Sequence, residues 1–121
     1  MRSYEGFFKI WRKLFLNPIW LKSKPEHKVI LLALLANAQW RSNAWEWNGR
    51  PYQCKAGEFI SSYGNIAKDC GKGITVQMVR DAFIRFKKLD FLTWDAGKSR
   101  TDGVKVTILN WCNYQNDDDE I

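Results

Sequence analysis

The sequence lacks most of the residue patterns on which enzyme chemistry depends. It has one histidine and three cysteines, and Cys54, Cys70 and Cys112 show no CxxC spacing. No glycine-rich loop precedes a lysine–serine pair, and the chain has no nucleophile elbow, no HExxH and no zinc-ligand spacing. We therefore expect no enzyme activity, no cofactor, no catalytic residue and no metal site.

The sequence also lacks a long hydrophobic run. The longest apolar stretch, residues 29–36, is much shorter than the roughly 20 residues that span a bilayer. Lys9, Arg12 and Lys13 interrupt the early apolar residues, so these do not form a cleavable signal sequence. Together with the odd number of cysteines, this pattern predicts a cytoplasmic protein with reduced thiols and no membrane partner.

What the sequence does contain is apolar, aromatic and basic. Its 121 residues are 45% hydrophobic and include seven tryptophans, which predicts one folded domain over 1–115. Four of the thirteen acidic residues lie in 117–120, so 116–121 is interpreted as an acidic tail or the start of a linker. The preceding residues carry nineteen cations against nine carboxylates, a formal charge of +10. A basic body suits a nucleic-acid partner, although ordinary cytosolic domains can also be basic.

The most informative stretch runs from residue 61 to residue 109. Its periodicity and glycines predict a short helix over 65–70, a tight turn at Gly71-Lys-Gly73 and a longer helix over 75–90. Two strands are predicted to follow, 91–95 and 104–109, joined by a basic segment that contains glycines. In the second strand the alternation predicts that Val104, Val106 and Ile108 face the core. Helix, turn, helix and hairpin in this order are typical of a winged helix-turn-helix.

The longer helix has a polar face and, opposite it, an apolar stripe with residues spaced three and four apart, which is predicted to face the core: Val76, Val79, Ala82, Phe83, Phe86 and Leu89. Arginine and lysine on the polar face could pair with phosphates or guanine edges, and Gln77 with adenine, whereas Asp81 would repel a phosphate. A solvated charged face without a partner is the alternative interpretation, and the same holds for the tip of the hairpin. The candidate DNA-binding residues are Gln77, Arg80, Ile84, Arg85 and Lys88 on the helix, and Lys98 and Arg100 at the tip.

Two helices are predicted nearer the N-terminus. The first covers about 8–16 and is stopped by Asn17-Pro18; it either packs on the core or forms a basic arm for DNA or a membrane surface. The second begins at the capping box Ser23–Glu26 and runs to about Ala38 as the central buried helix. His27 is expected on its exposed first turn, without a metal-binding or catalytic role.

An additional hairpin is predicted between the central helix and the helix-turn-helix. Asn48-Gly49 stands between alternating residues, as in a two-residue hairpin turn. Its tryptophans either cover the central helix, form a protein–protein surface, or stack on bases. The candidate oligomerisation residues are Trp45, Trp47, Phe8 and Trp11.

Several phrases in this order resemble the replisome organisers and DnaD-like replication initiators of phages and Gram-positive bacteria. These are Gly6-x-x-Lys-x-x-Arg-Lys13 before Asn17-Pro18; Lys55-x-Gly-x-Phe-Ile-x-Ser62; Val79-Arg-x-Ala-Phe-x-Arg-Phe-x-x-Leu-Asp-Phe-Leu92; and Val106-Thr-Ile-Leu-Asn-Trp-Cys-Asn-Tyr-Gln115. Together they cover residues 6–115. Members of that family often have glycine where Asp90 stands here.

The resemblance implies an N-terminal winged-helix domain that binds origin DNA or assembles into oligomers. In that family a separate C-terminal region contacts the helicase-loading machinery. The expected fold is therefore α+β, a winged helix-turn-helix with an additional β-hairpin and an N-terminal helical segment. The expected function is DNA binding in replication initiation, with double-stranded DNA as partner and possible homo-oligomers or replication and helicase-loading proteins. A self-associating scaffold and a transcriptional repressor are the alternatives.

Overall fold

The chain folds into helices packed against a small antiparallel sheet. A computed structural model describes residues 8–38, 43–47, 50–54, 56–96 and 103–109, with the backbone alone for 43–47 and 50–54. The predicted α+β class is confirmed. In chain order the elements are a 3-10 helix (Arg12–Leu16), α1 (Pro18–Leu21), α2 (Pro25–Asn37), β1 (Asn43–Trp47), β2 (Arg50–Cys54), β3 (Glu58–Ser61), α3 (Tyr63–Asp69), α4 (Val76–Lys88), β4 (Leu92–Ala96) and β5 (Val104–Ile108).

The N-terminal segment differs from the predicted helix over 8–16. Residues 8–11 are not helical, and the turn that follows is a 3-10 helix. Asn17-Pro18 starts a new helix as well as ending the previous one. The side chain of Asn17 accepts a hydrogen bond from the backbone N–H of Ile19 (3.0 Å), and Pro18 occupies the first turn of α1, where its missing N–H costs nothing.

Helix α2 is the buried central helix that the sequence predicts. Ile30, Leu31 and Leu34 have no solvent exposure. The predicted cap is wrong, because α2 begins after Lys24, whose side chain makes no capping bond. Ser23 instead donates its hydroxyl hydrogen to the carbonyl oxygen of Ile19. The start of α2 therefore depends on the turn that precedes it.

The predicted additional hairpin is present as strands β1 and β2. They pair antiparallel with Trp47 opposite Arg50, which leaves two residues between the strands. Those two residues, Asn48 and Gly49, lie outside the described part of the chain. The register nevertheless agrees with a two-residue connection.

The larger sheet has the strand order β3-β5-β4, with every pair antiparallel. Its inner face carries Val104, Val106 and Ile108, all buried as their alternation predicts. On the outer face Lys105 forms an ion pair with Glu58 at 3.5 Å, which joins β5 to the edge strand β3. The inner face thus completes the core beneath the helices.

Helices α3 and α4 are joined by the predicted glycine turn. The hydroxyl of Ser62 accepts the N–H of Asn65 (3.1 Å) at the start of α3, and Thr75 caps α4 in the same way. Gly71 and Gly73 have φ of +83° and +99°, values that L-residues rarely adopt. No atom lies within 4 Å of a Cβ built on either glycine, so the backbone angle alone requires them.

Helix α4 packs one face on the core, as predicted. Val79, Ala82, Phe83 and Phe86 have no exposed surface, but Val76 and Leu89, which belong to the predicted apolar stripe, are exposed at the two ends of the helix. The stripe is therefore shorter than the sequence suggests, because the core underlies only the middle turns.

The C-terminus of α4 closes in a Schellman motif centred on Asp90. Its φ is +57°, and its N–H donates to the carbonyl of Lys87, while the N–H of Phe91 donates to that of Phe86. The rings of Phe86 and Phe91 also meet edge to face at 5.7 Å. The motif turns the chain sharply from α4 into β4, and it does so with a residue that is less suited than glycine to a left-handed conformation.

Asp90→Gly is expected to raise the free energy of unfolding by about 0.5–1 kcal/mol. Glycine removes the left-handed strain and a carboxylate from the negative end of the helix dipole, and these gains outweigh its greater freedom in the unfolded chain. Urea denaturation followed by tryptophan fluorescence measures the change. Asp90→Asn, which removes the charge and keeps a side chain that tolerates this conformation, should gain less. A glycine variant less stable than the wild type would contradict the assignment.

Candidate nucleic-acid interface

One face of α4 points away from the protein along its whole length. We call this the outer face of α4 and define it by five exposed residues: Gln77, Arg80, Asp81, Ile84 and Lys88. Ile84 is the large apolar member, with half of its surface exposed. Two cations therefore share this face with an amide, a carboxylate and an exposed aliphatic side chain.

The amide of Gln77 is held by a neighbour one turn along the helix. Its Nε2 donates a hydrogen bond to Oδ1 of Asp81 at 3.0 Å. This contact uses one of the two Nε2 hydrogens of Gln77 and leaves the other hydrogen and the Oε1 acceptor available to a partner. Asp81 therefore restrains the Gln77 amide, although its own negative charge opposes phosphate.

A row of aromatic rings lies along one flank of α4, and we call it the aromatic row. It consists of Tyr63 from α3, Phe83 from α4 and Trp94 from β4, with both neighbouring ring pairs 5.3 Å apart. Arg80 lies over Tyr63 at 5.1 Å and Lys87 over Trp94 at 5.4 Å. Cation–π contact at both ends restrains Arg80, within the outer face, and Lys87, beside it.

Arg85, on the other flank, makes two bonds within the protein. Its Nε donates to Oγ of Ser23 at 3.1 Å, and one Nη donates to the carbonyl oxygen of Lys22 at 2.7 Å. The guanidinium thus joins α4 to the connection between α1 and α2. Arg85 is partly buried, unlike the five residues of the outer face.

The structure brings together four of the seven candidate DNA-binding residues, namely Gln77, Arg80, Ile84 and Lys88. Arg85 lies on the same helix but turns toward the N-terminal segment, and Lys98 and Arg100 lie outside the described residues. Sequence reasoning missed Lys87 and the aromatic row. The aromatic residues were visible, but only the packing of α3 and β4 against one flank of α4 brings Tyr63 and Trp94 to its cations.

Several apolar side chains near the N-terminus are exposed, and we call them the N-terminal apolar surface: Phe8, Ile10, Phe15, Leu16 and Leu21. Leu16 is 75% exposed. Trp11 is partly buried, and the ammonium group of Lys13 lies 5.2 Å from its ring. Of the candidate oligomerisation residues, Phe8 and Trp11 therefore lie in or beside this surface, whereas the side chains of Trp45 and Trp47 are outside the described residues.

His27 is buried, contrary to its predicted exposure. Its imidazole meets the ring of Phe86 at 6.2 Å, and its Nδ1 is buried without a hydrogen-bond partner. Burial lowers the pKa of His27 below its ordinary value; the charge of Glu26 opposes this shift, and that of Arg85 adds to it. The predicted exposure of His27 is wrong because α4 covers the first turn of α2 in the folded chain.

Stability is expected to fall as pH decreases from 7 toward 5. Because the folded-state pKa of His27 lies below the unfolded value of about 6.5, the unfolded chain binds its proton first and gains relative stability. The loss begins near the unfolded pKa and levels off once the pH is below the folded one. Urea denaturation at pH 7, 6 and 5 tests this. His27→Leu removes the only histidine and should flatten the profile; an unchanged slope in that variant would contradict the assignment.

Two further groups of observations concern chemistry. Burial and the charge of Asp69 raise the pKa of the Cys70 thiol to about 11, so it is protonated near neutral pH. Within the described ranges no group of three or more His, Cys, Asp or Glu side chains could hold a metal ion. The described helices also include none with the length and apolar character needed to cross a membrane.

Comparison with family models, curated proteins and solved structures found no match to this chain.

Proposed function

We propose that this chain is a DNA-binding domain of the winged-helix class that places α4 in the major groove of duplex DNA. The observation that carries the proposal is the outer face of α4, a helix face of five exposed residues with two cations, flanked by two more. The order of the elements also supports it. A winged helix has the same order as this part of the chain: helix α2, strand β3, helices α3 and α4 with a glycine turn between them, and the hairpin of β4 and β5. Strand β3 pairs with β5.

The electrostatics of α4 favour an anionic partner. The helix carries Arg80, Arg85, Lys87 and Lys88 against one carboxylate, Asp81. Among the described residues, Arg85 alone of these cations donates hydrogen bonds within the protein, whereas Arg80 and Lys87 lie over aromatic rings. In the proposed complex Arg80, Lys87 and Lys88 contact phosphates, while Arg85 stabilises the position of the helix. Lys98 and Arg100 then contact the backbone or minor groove from the hairpin tip.

The biological role we propose is replication initiation, and its support is the resemblance of residues 6–115 to replisome organisers and DnaD-like initiators. A transcriptional repressor would use the same DNA contacts. An origin-melting or helicase-loading assay with the phage or bacterial replication proteins separates the two roles. A replication protein stimulates melting or loading on DNA that has no promoter, whereas a repressor does not.

Fluorescence anisotropy with a labelled duplex at two salt concentrations tests DNA binding. We expect submicromolar binding at low salt that weakens steeply as salt increases. If these five cations meet phosphates, the logarithm of the affinity should fall with a slope of about −4.5 against the logarithm of salt concentration. No binding at low salt by a folded sample would overturn the proposal.

Arg80→Ala is expected to weaken binding about three- to tenfold and to reduce the salt slope by about 1, because one phosphate contact is lost. Arg12→Ala is the matched control, since it removes another exposed arginine, from the N-terminal 3-10 helix. Circular dichroism confirms that both variants are folded. Equal losses in the two variants would show that net charge, and not the outer face of α4, determines the affinity.

A second candidate function, a self-associating scaffold, has its own supporting observation in the N-terminal apolar surface. Clusters of exposed apolar side chains commonly mark protein–protein contacts. Sedimentation velocity over a range of concentrations tests it: we expect oligomers that dissociate in Leu16→Glu. The paired variant Trp45→Ala/Trp47→Ala tests whether the hairpin contributes. A monomer at all concentrations would exclude self-association as the function of this surface.

A further inference from the structure

We propose that the outer face of α4 reads A·T base pairs, through adenine recognition by Gln77 and contact of Ile84 with the methyl group of thymine. The inference rests on the proposed function, because it takes α4 to lie in the major groove. It goes further by naming the chemical class of site that the helix prefers. Three observations carry it: the position of Gln77, its hydrogen bond to Asp81, and the exposure of Ile84.

Gln77 is the second residue of α4, and the N-terminal residues of a recognition helix are those that contact base edges. A glutamine amide matches adenine, because Nε2 donates to N7 while Oε1 accepts from the N6 amino group. One Nε2 hydrogen already binds Asp81 at 3.0 Å, and the amide has a second. The carboxylate therefore restrains the amide while leaving it one donor and one acceptor, the pair that adenine requires.

Asp81 acts in this arrangement as a positioning residue. It repels phosphate slightly, so it lowers affinity for every sequence, but it orients the amide that distinguishes adenine. This combination makes an unusual prediction: its removal should strengthen binding and weaken discrimination at the same time. A residue with only a structural role would not move these two quantities in opposite directions.

Ile84 supplies the second contact. Half of its surface is exposed in the middle of a face that is otherwise polar, and it does not belong to the hydrophobic core. In the major groove, thymine offers the one methyl group among the four bases to an apolar side chain. Gln77 and Ile84 are seven residues apart, an axial rise of roughly 10 Å, which is about three base-pair steps. Both residues can therefore reach bases of the same groove.

The experiment compares three labelled duplexes of about twenty base pairs: alternating A·T, alternating A·U and alternating G·C. Uracil keeps every hydrogen-bonding group of thymine and lacks only the methyl. We expect the A·T duplex to bind roughly 5- to 150-fold more tightly than G·C, in line with the discrimination of one bidentate contact. It should bind about fourfold more tightly than A·U for each buried methyl.

Variants assign these differences to residues. Ile84→Ala should abolish the difference between A·T and A·U, whereas Val29→Ala, which truncates another exposed aliphatic side chain on α2, should leave it unchanged. Gln77→Ala should reduce the difference between A·T and G·C. Asp81→Ala should raise the affinity for all three duplexes and reduce the same difference, and Asp81→Asn, which retains an oxygen acceptor, should raise affinity with less loss of discrimination.

The failure of this inference differs from the failure of the proposed function. Equal binding of the three duplexes, or an A·T to A·U difference that survives in Ile84→Ala, overturns A·T reading and leaves DNA binding in place. If A·T and A·U duplexes bind equally well and both bind more tightly than G·C, the preference comes from the minor groove, where the thymine methyl is absent, and is assigned to the hairpin tip. This result likewise overturns the role of Ile84. Absence of binding to every duplex by folded protein overturns both.

Discussion

Phe86→Ala is expected to lower the free energy of unfolding by about 3–5 kcal/mol, the largest effect of any change considered for this protein. The ring has no exposed surface and lies where three elements meet. It touches His27 of α2 and Phe91, the residue that precedes β4, with ring centroids 6.2 Å and 5.7 Å away. Alanine removes the buried ring and leaves a cavity that neighbours on separate elements cannot all fill.

Such a loss is a large part of the 5–15 kcal/mol that stabilises an ordinary domain, and the melting temperature should fall by about 10–20 °C. Thermal denaturation by circular dichroism and urea denaturation by tryptophan fluorescence measure it. Phe86→Leu retains most of the volume and should lose under about 1.5 kcal/mol. Phe15→Ala truncates a half-exposed ring and should lose less than Phe86→Ala. If Phe15→Ala and Phe86→Ala cost the same, this account of the core is incorrect.

Arg85→Ala is expected to destabilise the protein by about 1.5–3 kcal/mol, whereas Arg80→Ala should cost less than about 1 kcal/mol. Both arginines lie on α4, and a helical pattern alone treats them as equivalent polar positions. Arg85 donates to Oγ of Ser23 and to the carbonyl of Lys22, two bonds that its removal leaves unmade. Arg80 is exposed, and its contact with Tyr63 is a single cation–π interaction.

Urea denaturation of the two alanine variants and of Ser23→Ala measures these effects. In a double-mutant cycle, Ser23→Ala and Arg85→Ala should be non-additive, because each removes the same hydrogen bond. Strict additivity would mean that the bond contributes nothing to stability. The comparison also governs DNA-binding experiments, since a loss of affinity in Arg85→Ala reflects DNA contact only if it is measured under conditions where that variant remains folded.

The separation of Arg80 from Arg85 explains how α4 can be both anchored and exposed. One flank of the helix is fastened to the N-terminal segment through Arg85, and the other to α3 and β4 through the aromatic row. Between these flanks the outer face of α4 is free to meet a ligand. A rigidly held helix suits recognition, because little conformational entropy is then lost when it binds.

Local patterns in the sequence were sufficient for much of the fold. The alternation of Val104, Val106 and Ile108 predicted a strand with one buried side, and the glycines at 71 and 73 predicted the turn between two helices. The three- and four-residue spacing in α4 predicted its buried face. Each of these features depends on residues close together in the chain, where side-chain period and backbone preference act directly.

Tertiary packing decided the features that depend on residues far apart in the chain. The sequence pattern predicts an exposed His27, but α4 covers it in the folded chain. It also predicts a free cation at Arg85, which instead donates a hydrogen bond to Ser23. The capping box at 23–26 is not used, because Ser23 donates to the carbonyl oxygen of Ile19 instead. The sequence by itself determined which face of α4 is apolar and most of the helices and strands, but not the N-terminal segment, where residues 8–11 are not helical. Only the folded chain decided which polar side chains are consumed by internal bonds and which remain for a partner, because hydrogen bonds and burial depend on distances that residue spacing does not specify.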